Sequence, residues 1–399
     1  MKFYRSHRLL IDLLLVALIL RLVYLNAVAM PVFDEAFYVP AARQLLANWT
    51  DINPEHPPLA KEIIAGSIAL FGDNQLAWRL PAVIAGLACI AALYFVALEL
   101  SGNKRTALLA AALLAFDPLS ILLSRTAMLD IFMLAFSLGG TYFLLKKNVV
   151  AAGLLFGLGI ASKWPAVLPL LAVSVFMAAR KKIGLAELGR MLLLVGLAFV
   201  LASSPFIISE GPAQWFSSRT YYIGDTITMP TENSMASTAM QWLYLQKPVW
   251  FARDLPDFKV PSDMHWLTDI LGGKPAFGLV ALGNPVFWLP GLFALVWLGL
   301  DKTKKLSNIR LFSLLWFAFT YVPFLLLPRS HMFLYYMLPV LPAYALALSQ
   351  FLVKRRWEKW YLVVLAASLV LFLPLVIGLP APDWYYETLR PLIGSYPAG

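Results

Sequence analysis

The chain has 399 residues, 60% of them hydrophobic and only 14% charged, with a mean hydropathy of +0.74. That balance excludes an ordinary soluble globular domain. The net charge of +10 would suggest nucleic acid in a soluble protein, but its distribution along this chain reads as membrane topology and excludes that partner.

Apolar runs close to the roughly twenty residues needed to cross a bilayer recur from end to end. Backbone groups in lipid must pair internally, and the runs are rich in Leu and Ala, so they predict helices rather than a barrel. The fold class expected is an all-α polytopic membrane protein with about eleven spans, at 9–30, 78–99, 106–124, 127–145, 149–162, 164–179, 190–209, 277–299, 311–328, 332–353 and 358–379. The first run follows MKFYRSHR, has no small-residue cleavage site after it and exceeds a signal core in length, so it reads as a retained span. Ile63 to Phe71 is apolar but too short to cross and is placed in the interface.

Alternate short connections read SGNKRT, KKN, ARKKIGLAELGR, DKTKKLSNIR and KRRWEK, whereas the opposite ones carry essentially Arg125, Lys163 and Arg329. The positive-inside rule then puts the N-terminus in the cytoplasm and, with an odd span count, Gly399 outside. Residues 1–399 form one membrane-embedded domain with two outer stretches, a first loop at 31–77 and a second at 210–276. The second is rich in Trp and Tyr and broken by Pro, which suits a lid on the bilayer surface. No inverted repeat with interrupted spans stands out, which weighs against a secondary transporter. Cys89 is the single cysteine, and His7, His56, His265 and His331 lack ligand spacing, so no disulfide framework or metal cage is expected.

The candidate site begins where the first run ends. Asp34 and Glu35 are adjacent acids at a membrane surface, either functional or merely solvated loop acids that end a helix. The rigid block His56-Pro57-Pro58-Leu59-Ala60-Lys61 follows with an imidazole and an ammonium. Arg79 opens the second span; Arg125 and Asp130 lie in SRTAMLD; Lys163 lies in ASKW; Arg329, His331 and Tyr335 lie in PRSHMFLYYMLP. Each alone reads as a snorkelling anchor or a helix cap. Together they put several cations and a few acids on one face, as expected of a site that binds a lipid-linked phosphate beside a general base.

With those residues in place the chain resembles the protein O-mannosyltransferases, GT-C-class membrane glycosyltransferases. The resemblance rests on Asp34-Glu35, HPPLAK at 56–61, Arg79-Leu80-Pro81, SRTAMLD at 124–130, GLLFGLGIASKW at 153–164, LQKPVWF at 245–251, GNPVFW at 283–288 and FLYYMLPVLP at 333–342. It implies eleven spans with a cytoplasmic N-terminus. Eukaryotic members hold a β-trefoil domain where this chain has only the loop 210–276, which points to a prokaryotic enzyme at the plasma membrane, acting on the extracytoplasmic face.

The resemblance further implies transfer of a sugar, mannose first, from a polyprenyl (dolichyl) phosphate to a Ser or Thr hydroxyl of a protein, with inversion. Asp34 is then the general base, and Glu35 positions the acceptor peptide. A phosphate leaving group needs cations rather than an acid; Arg79, Lys163 and Arg329 are first in line, then His56, Lys61 and His331. Arg79 alternatively holds the acidic pair by an ion pair. No cofactor is implied, although two adjacent acids are able to recruit a divalent cation. The Tyr335-Tyr336 pair either stacks on sugar and prenyl chain or anchors at the interface. Whether the enzyme works alone or as a dimer stays open, as do two alternatives: a GT-C transferase with a lipid acceptor, like the aminoarabinose transferases, and a polyprenyl-sugar transporter.

Overall fold

The computed structural model describes residues 2–228, 235–253, 269–270, 272, 275–301, 306–327, 332–353 and 355–394. In chain order the helices are α1 (Lys2–Leu22), α2 (Glu35–Asn48), α3 (Leu59–Phe71), α4 (Gln75–Ser101), α5 (Lys104–Ala115), α6 (Pro118–Leu123), α7 (Leu129–Leu145), α8 (Val149–Ser162) and α9 (Val167–Ala179). Then come α10 (Leu185–Glu210), α11 (Pro212–Thr228), α12 (Ala239–Leu243), α13 (Pro285–Leu300), α14 (Asn308–Leu326), α15 (Leu341–Leu352), α16 (Glu358–Ile377) and α17 (Asp383–Ile393). Five segments are long and apolar enough to cross a membrane: α4, α10, α14, α16 and Leu334–Leu352, which joins a 3-10 turn to α15. Leu129–Leu145, Val149–Ser162, Trp164–Ala179 and Pro285–Leu300 are shorter apolar helices.

The helical polytopic reading holds, and the differences are local. The expected span 9–30 stops being helical at Leu22, and a turn with Tyr24 at φ +53° starts an irregular segment leading to α2. The expected span 106–124 breaks at Asp117-Pro118, where proline has no N–H to continue α5 and the Asp117 carboxylate caps the Ser120 N–H at 3.0 Å. The all-α expectation misses two small antiparallel ribbons: β1 (Val249–Arg253) with β3 (Gly278–Ala281), and β2 (Pro275–Ala276) with β4 (Ala381–Pro382). The ribbon strand β3 occupies residues assigned to the start of a span at 277, so α13 starts only at Pro285.

Close helix packing sets the site in place. A Cβ on Gly157 would meet the Val195 carbonyl of α10 at 2.5 Å, so only glycine lets α8 lie this close to α10. At the C-terminal end of α8 the Lys163 ammonium reaches Asp130 in the first turn of α7 at 2.7 Å.

One buried ion pair fixes the irregular segment between α1 and α2. Arg79 Nε and NH2 donate to the two Glu35 carboxylate oxygens at 2.9 and 2.8 Å. The remaining guanidinium protons go to the carbonyls of Leu25, Val28 and Met30 at 2.9, 2.9 and 3.2 Å. Glu35 also accepts from the backbone N–H of Val32 and Ala127. Both side chains are buried. Removing one partner leaves a buried uncompensated charge, so Glu35→Ala or Arg79→Ala is expected to cost about 3–5 kcal/mol. Thermal unfolding in detergent checks this; the double variant should cost less than the two singles summed.

Candidate active site

Asp34 lies at the point where the segment pinned by Arg79 turns into α2, its carbonyl accepting the N–H of Phe37 and Tyr38. The residue before it, Phe33, has φ +49°, a left-handed conformation that is costly for a bulky side chain. Aromatic packing holds it there. The Phe33 ring stacks on Phe251 of β1 at 4.4 Å and meets Tyr335 edge-on at 5.6 Å. The ribbon carrying the KPVWF block is thus a clamp on the residue next to Asp34.

The Asp34 carboxylate opens into a cavity of about 430 Å³ walled by Tyr38, His56, Trp164, Phe324, Tyr335 and Tyr336 among others. That volume and its largely aromatic wall with a few polar groups are typical of a small-ligand site. The phenols of Tyr335 and Tyr38 both donate to Oδ2, at 3.1 and 3.4 Å. Among the described residues no donor reaches Oδ1, so one oxygen of this cavity-lining carboxylate is tethered and the other has no hydrogen bond from the protein. Burial pushes the Asp34 carboxyl up to about 6; the Lys163 ammonium and the two phenols hold it from rising further.

The other residues singled out from the sequence sort sharply. Glu35 is fully buried and its two oxygens are taken by Arg79, Val32 and Ala127, so it has no oxygen left to position an acceptor peptide. Arg79 takes the ion-pair alternative; all its donors are used by Glu35 and three carbonyls, leaving none for a phosphate. Arg125 is buried and donates to the carbonyls of Leu20, Arg21 and Ile377. Lys61 is fully buried, its ammonium bound to Asp51 and to the carbonyls of Asn53 and His56. These four are held within the protein for a common reason: a charge this deep persists only when it is paired or hydrogen-bonded.

Lys163 pairs with Asp130 at 2.7 Å and lies 5.7 Å from the ring centres of both Tyr335 and Tyr336, just behind the cavity wall. His56 stands in the wall itself. Trp164 donates to the Glu55 carbonyl at 3.1 Å, which ties the SKW block to the HPP turn. Arg329 and His331 lie outside the described residues. Among the described residues no three His, Cys, Asp or Glu side chains gather as a metal group.

Three contributors escaped the sequence reading. Tyr38 is one helical turn from Asp34, a spacing that brings the two side chains to one face and was open to notice. Phe251 and the Asp51–Arg219 contact at 3.6 Å, which links the first loop to α11, join residues far apart in sequence.

The chain is similar to known proteins in sequence and in fold. The family model described as dolichyl-phosphate-mannose-protein mannosyltransferase matches residues 55–208. The polyprenol-phosphate-mannose–protein mannosyltransferase of Mycolicibacterium smegmatis is 28% identical over 246 residues, 49% of this chain and 48% of that protein. The Corynebacterium glutamicum protein of the same name is 34% identical over 132 residues, covering 30% of this chain and 25% of its own length. The chain therefore aligns with about half the length of the first of these relatives and a quarter of the second. Among solved structures, the Saccharomyces cerevisiae Pmt1–Pmt2 complex bound to the sugar donor superposes with a TM-score of 0.77 at 13% identity, over 98% of this chain and 93% of that one. ArnT from Cupriavidus metallidurans superposes with a TM-score of 0.60 at 17% identity, over 99% of this chain and 66% of that one. The fold is that of the GT-C membrane glycosyltransferases, and the chain's resemblance to the protein O-mannosyltransferases holds in family model, relatives and architecture alike.

Proposed function

We propose that this chain is an inverting glycosyltransferase that moves mannose from a polyprenyl phosphate to a Ser or Thr hydroxyl of a protein, at the extracytoplasmic face of the plasma membrane. The observation that carries the reading is the half-tethered carboxylate of Asp34: one oxygen held by two phenols, the other open to an aromatic cavity. The acceptor hydroxyl donates its proton to Oδ1 as its oxygen forms a bond to the anomeric carbon. On the opposite side of that carbon the bond to the phosphate oxygen breaks, and the electron pair leaves with the prenyl phosphate. A base of this kind contributes about 10²- to 10⁴-fold.

In this scheme His56, whose side chain lines the same cavity, receives the charge of the leaving phosphate. Arg329 and His331 remain candidates for the same charge. Lys163 acts through the field behind Tyr335 and Tyr336, where its ammonium favours the ionised form of Asp34. No metal ion is required in this scheme, so transfer in the presence of a chelator should match that in its absence. A second reading has the same donor chemistry with a lipid acceptor, and the fold shared with ArnT favours keeping it.

The test is transfer of labelled mannose from polyprenyl-phosphate mannose to a Ser/Thr-rich peptide by the reconstituted protein. Asp34→Asn should lose about 10²-fold or more while binding donor and unfolding like the parent; equal transfer by the variant would remove Asp34 from the role. Label appearing in added lipid and not in peptide would move the protein to the second reading.

The pH profile gives an independent check. A base works only when ionised, and the Asp34 carboxyl titrates at about 6. The rate should therefore be level above that pH and fall tenfold per unit below it. Tyr335→Phe removes a hydrogen bond to the charged form, so its acid limb should move to higher pH; an unmoved limb would contradict the tether. Lys163→Met should shift the limb in the same direction and also strand Asp130, whereas Lys163→Met combined with Asp130→Asn should recover stability without recovering the parental limb.

A further inference from the structure

A second polar cavity lies at the other end of the bundle, and nothing in the transfer scheme uses it. It has a volume of about 510 Å³ and is lined by Trp297, Asp301, Arg310, Gln350, Phe351 and Arg355, with neighbouring residues of the same elements. Its position follows from α14, which takes part in both cavities. Arg310 near the start of that helix lines this one, and Pro323, Phe324 and Leu327 at its end line the one around Asp34. At about 1.5 Å per residue the two are roughly 25 Å apart, close to the thickness of a bilayer core. The second cavity therefore opens at the opposite membrane face. Its connections, DKTKKLSNIR and KRRWEK, are among those read as cytoplasmic from their charge.

Its chemistry is divided. Arg310 is buried, with 8% of its surface exposed, and Arg355 is an exposed guanidinium held 5.2 Å over the Phe351 ring. Gln350 Oε1 is a buried acceptor that no donor satisfies, which in a folded protein marks the place of an external hydrogen-bond donor. Asp301 adds one carboxylate to the same lining. Trp297 and Phe351 supply an apolar side, and on α13 this side runs on to Phe293, Val296 and Leu300, exposed by 60%, 50% and 71%. A ligand that fits all of these needs a phosphate for the two arginines, a hydroxyl-bearing group for Gln350 and Asp301, and hydrocarbon for the outer apolar flank. Basic pockets between helices on the cytoplasmic side have this character when they hold anionic lipid.

We infer that this cavity binds the headgroup of an anionic glycerophospholipid from the cytoplasmic leaflet: Arg310 and Arg355 take the phosphodiester, and Gln350 and Asp301 accept from the glycerol hydroxyls. The site is independent of the transfer reading.

The test uses the full chain, purified and delipidated in detergent, with phosphatidylglycerol or phosphatidylcholine added. Native mass spectrometry and thermal unfolding are the readouts. Phosphatidylglycerol should be retained and raise the unfolding temperature, and phosphatidylcholine should do neither. Arg355→Gln, at the exposed rim, should weaken retention by about tenfold, as loss of one charge-assisted contact does; Arg310→Gln should abolish it. If Arg310→Gln fails to fold, Arg355→Gln alone decides. Equal effects of the two lipids, or unchanged retention in Arg355→Gln, would overturn the proposal. So would stabilisation by inorganic phosphate alone with no lipid retained, which would make the cavity a free-phosphate site.

Discussion

The buried pair between Glu35 and Arg79 is the constraint on which the part of the molecule around Asp34 depends. A chain leaving α1 at Leu22 must cover twelve residues of irregular backbone before α2 begins at Glu35. Irregular backbone inside a membrane protein is tolerated only where its polar groups are matched. Arg79 matches three carbonyls of that segment with one side chain, and Glu35 fixes the guanidinium while taking two N–H groups. The position of Asp34, next in sequence to Glu35, is a consequence of this network.

The same device recurs. Arg125 collects carbonyls at the end of α1 and of α16, and Arg21 does so near the break between α5 and α6 while donating to the Ser124 hydroxyl at 2.7 Å. Buried arginine suits this work because its five donors diverge in a fixed plane and it does not lose its charge. Lysine takes the compact version: Lys61 gathers Asp51 and the HPP turn, and Arg219 of α11 closes on the same Asp51. Most of the charge in this part of the molecule is therefore architecture. What remains for chemistry is the small set around the cavity, where Asp34 has an oxygen to spare.

That oxygen is held in an unusual setting. The left-handed backbone at Phe33 is tolerated because Phe251 and Tyr335 pack against its ring, and Tyr335 also holds the carboxylate beside it. One aromatic cluster thus stabilises the strained turn, orients the base and walls the cavity. Local strain offset by surrounding packing is common at working sites.

The sequence by itself determined that the chain is a helical membrane protein. Hydrophobic run length and the asymmetry of Lys and Arg are local signals, and they survive any packing arrangement. It also picked out the charged residues near the ends of the apolar runs, and the HPPLAK, SKW and KPVW blocks pointed to the right architecture. Only the tertiary structure decided what those charges do. Asp34 and Glu35 are neighbours in sequence with the same functional group, yet one accepts four hydrogen bonds on its two oxygens and the other lines a cavity. Arg79 and Lys61 read as candidate phosphate ligands, and Arg125 as one more cation beside them, because a buried cation and a free cation look alike in sequence. The difference lies in contacts across 44, 92 and 252 residues, as from Glu35 to Arg79, from Glu35 to Ala127 and from Arg125 to Ile377. Such partners are chosen by how the helices pack, and no local pattern encodes them.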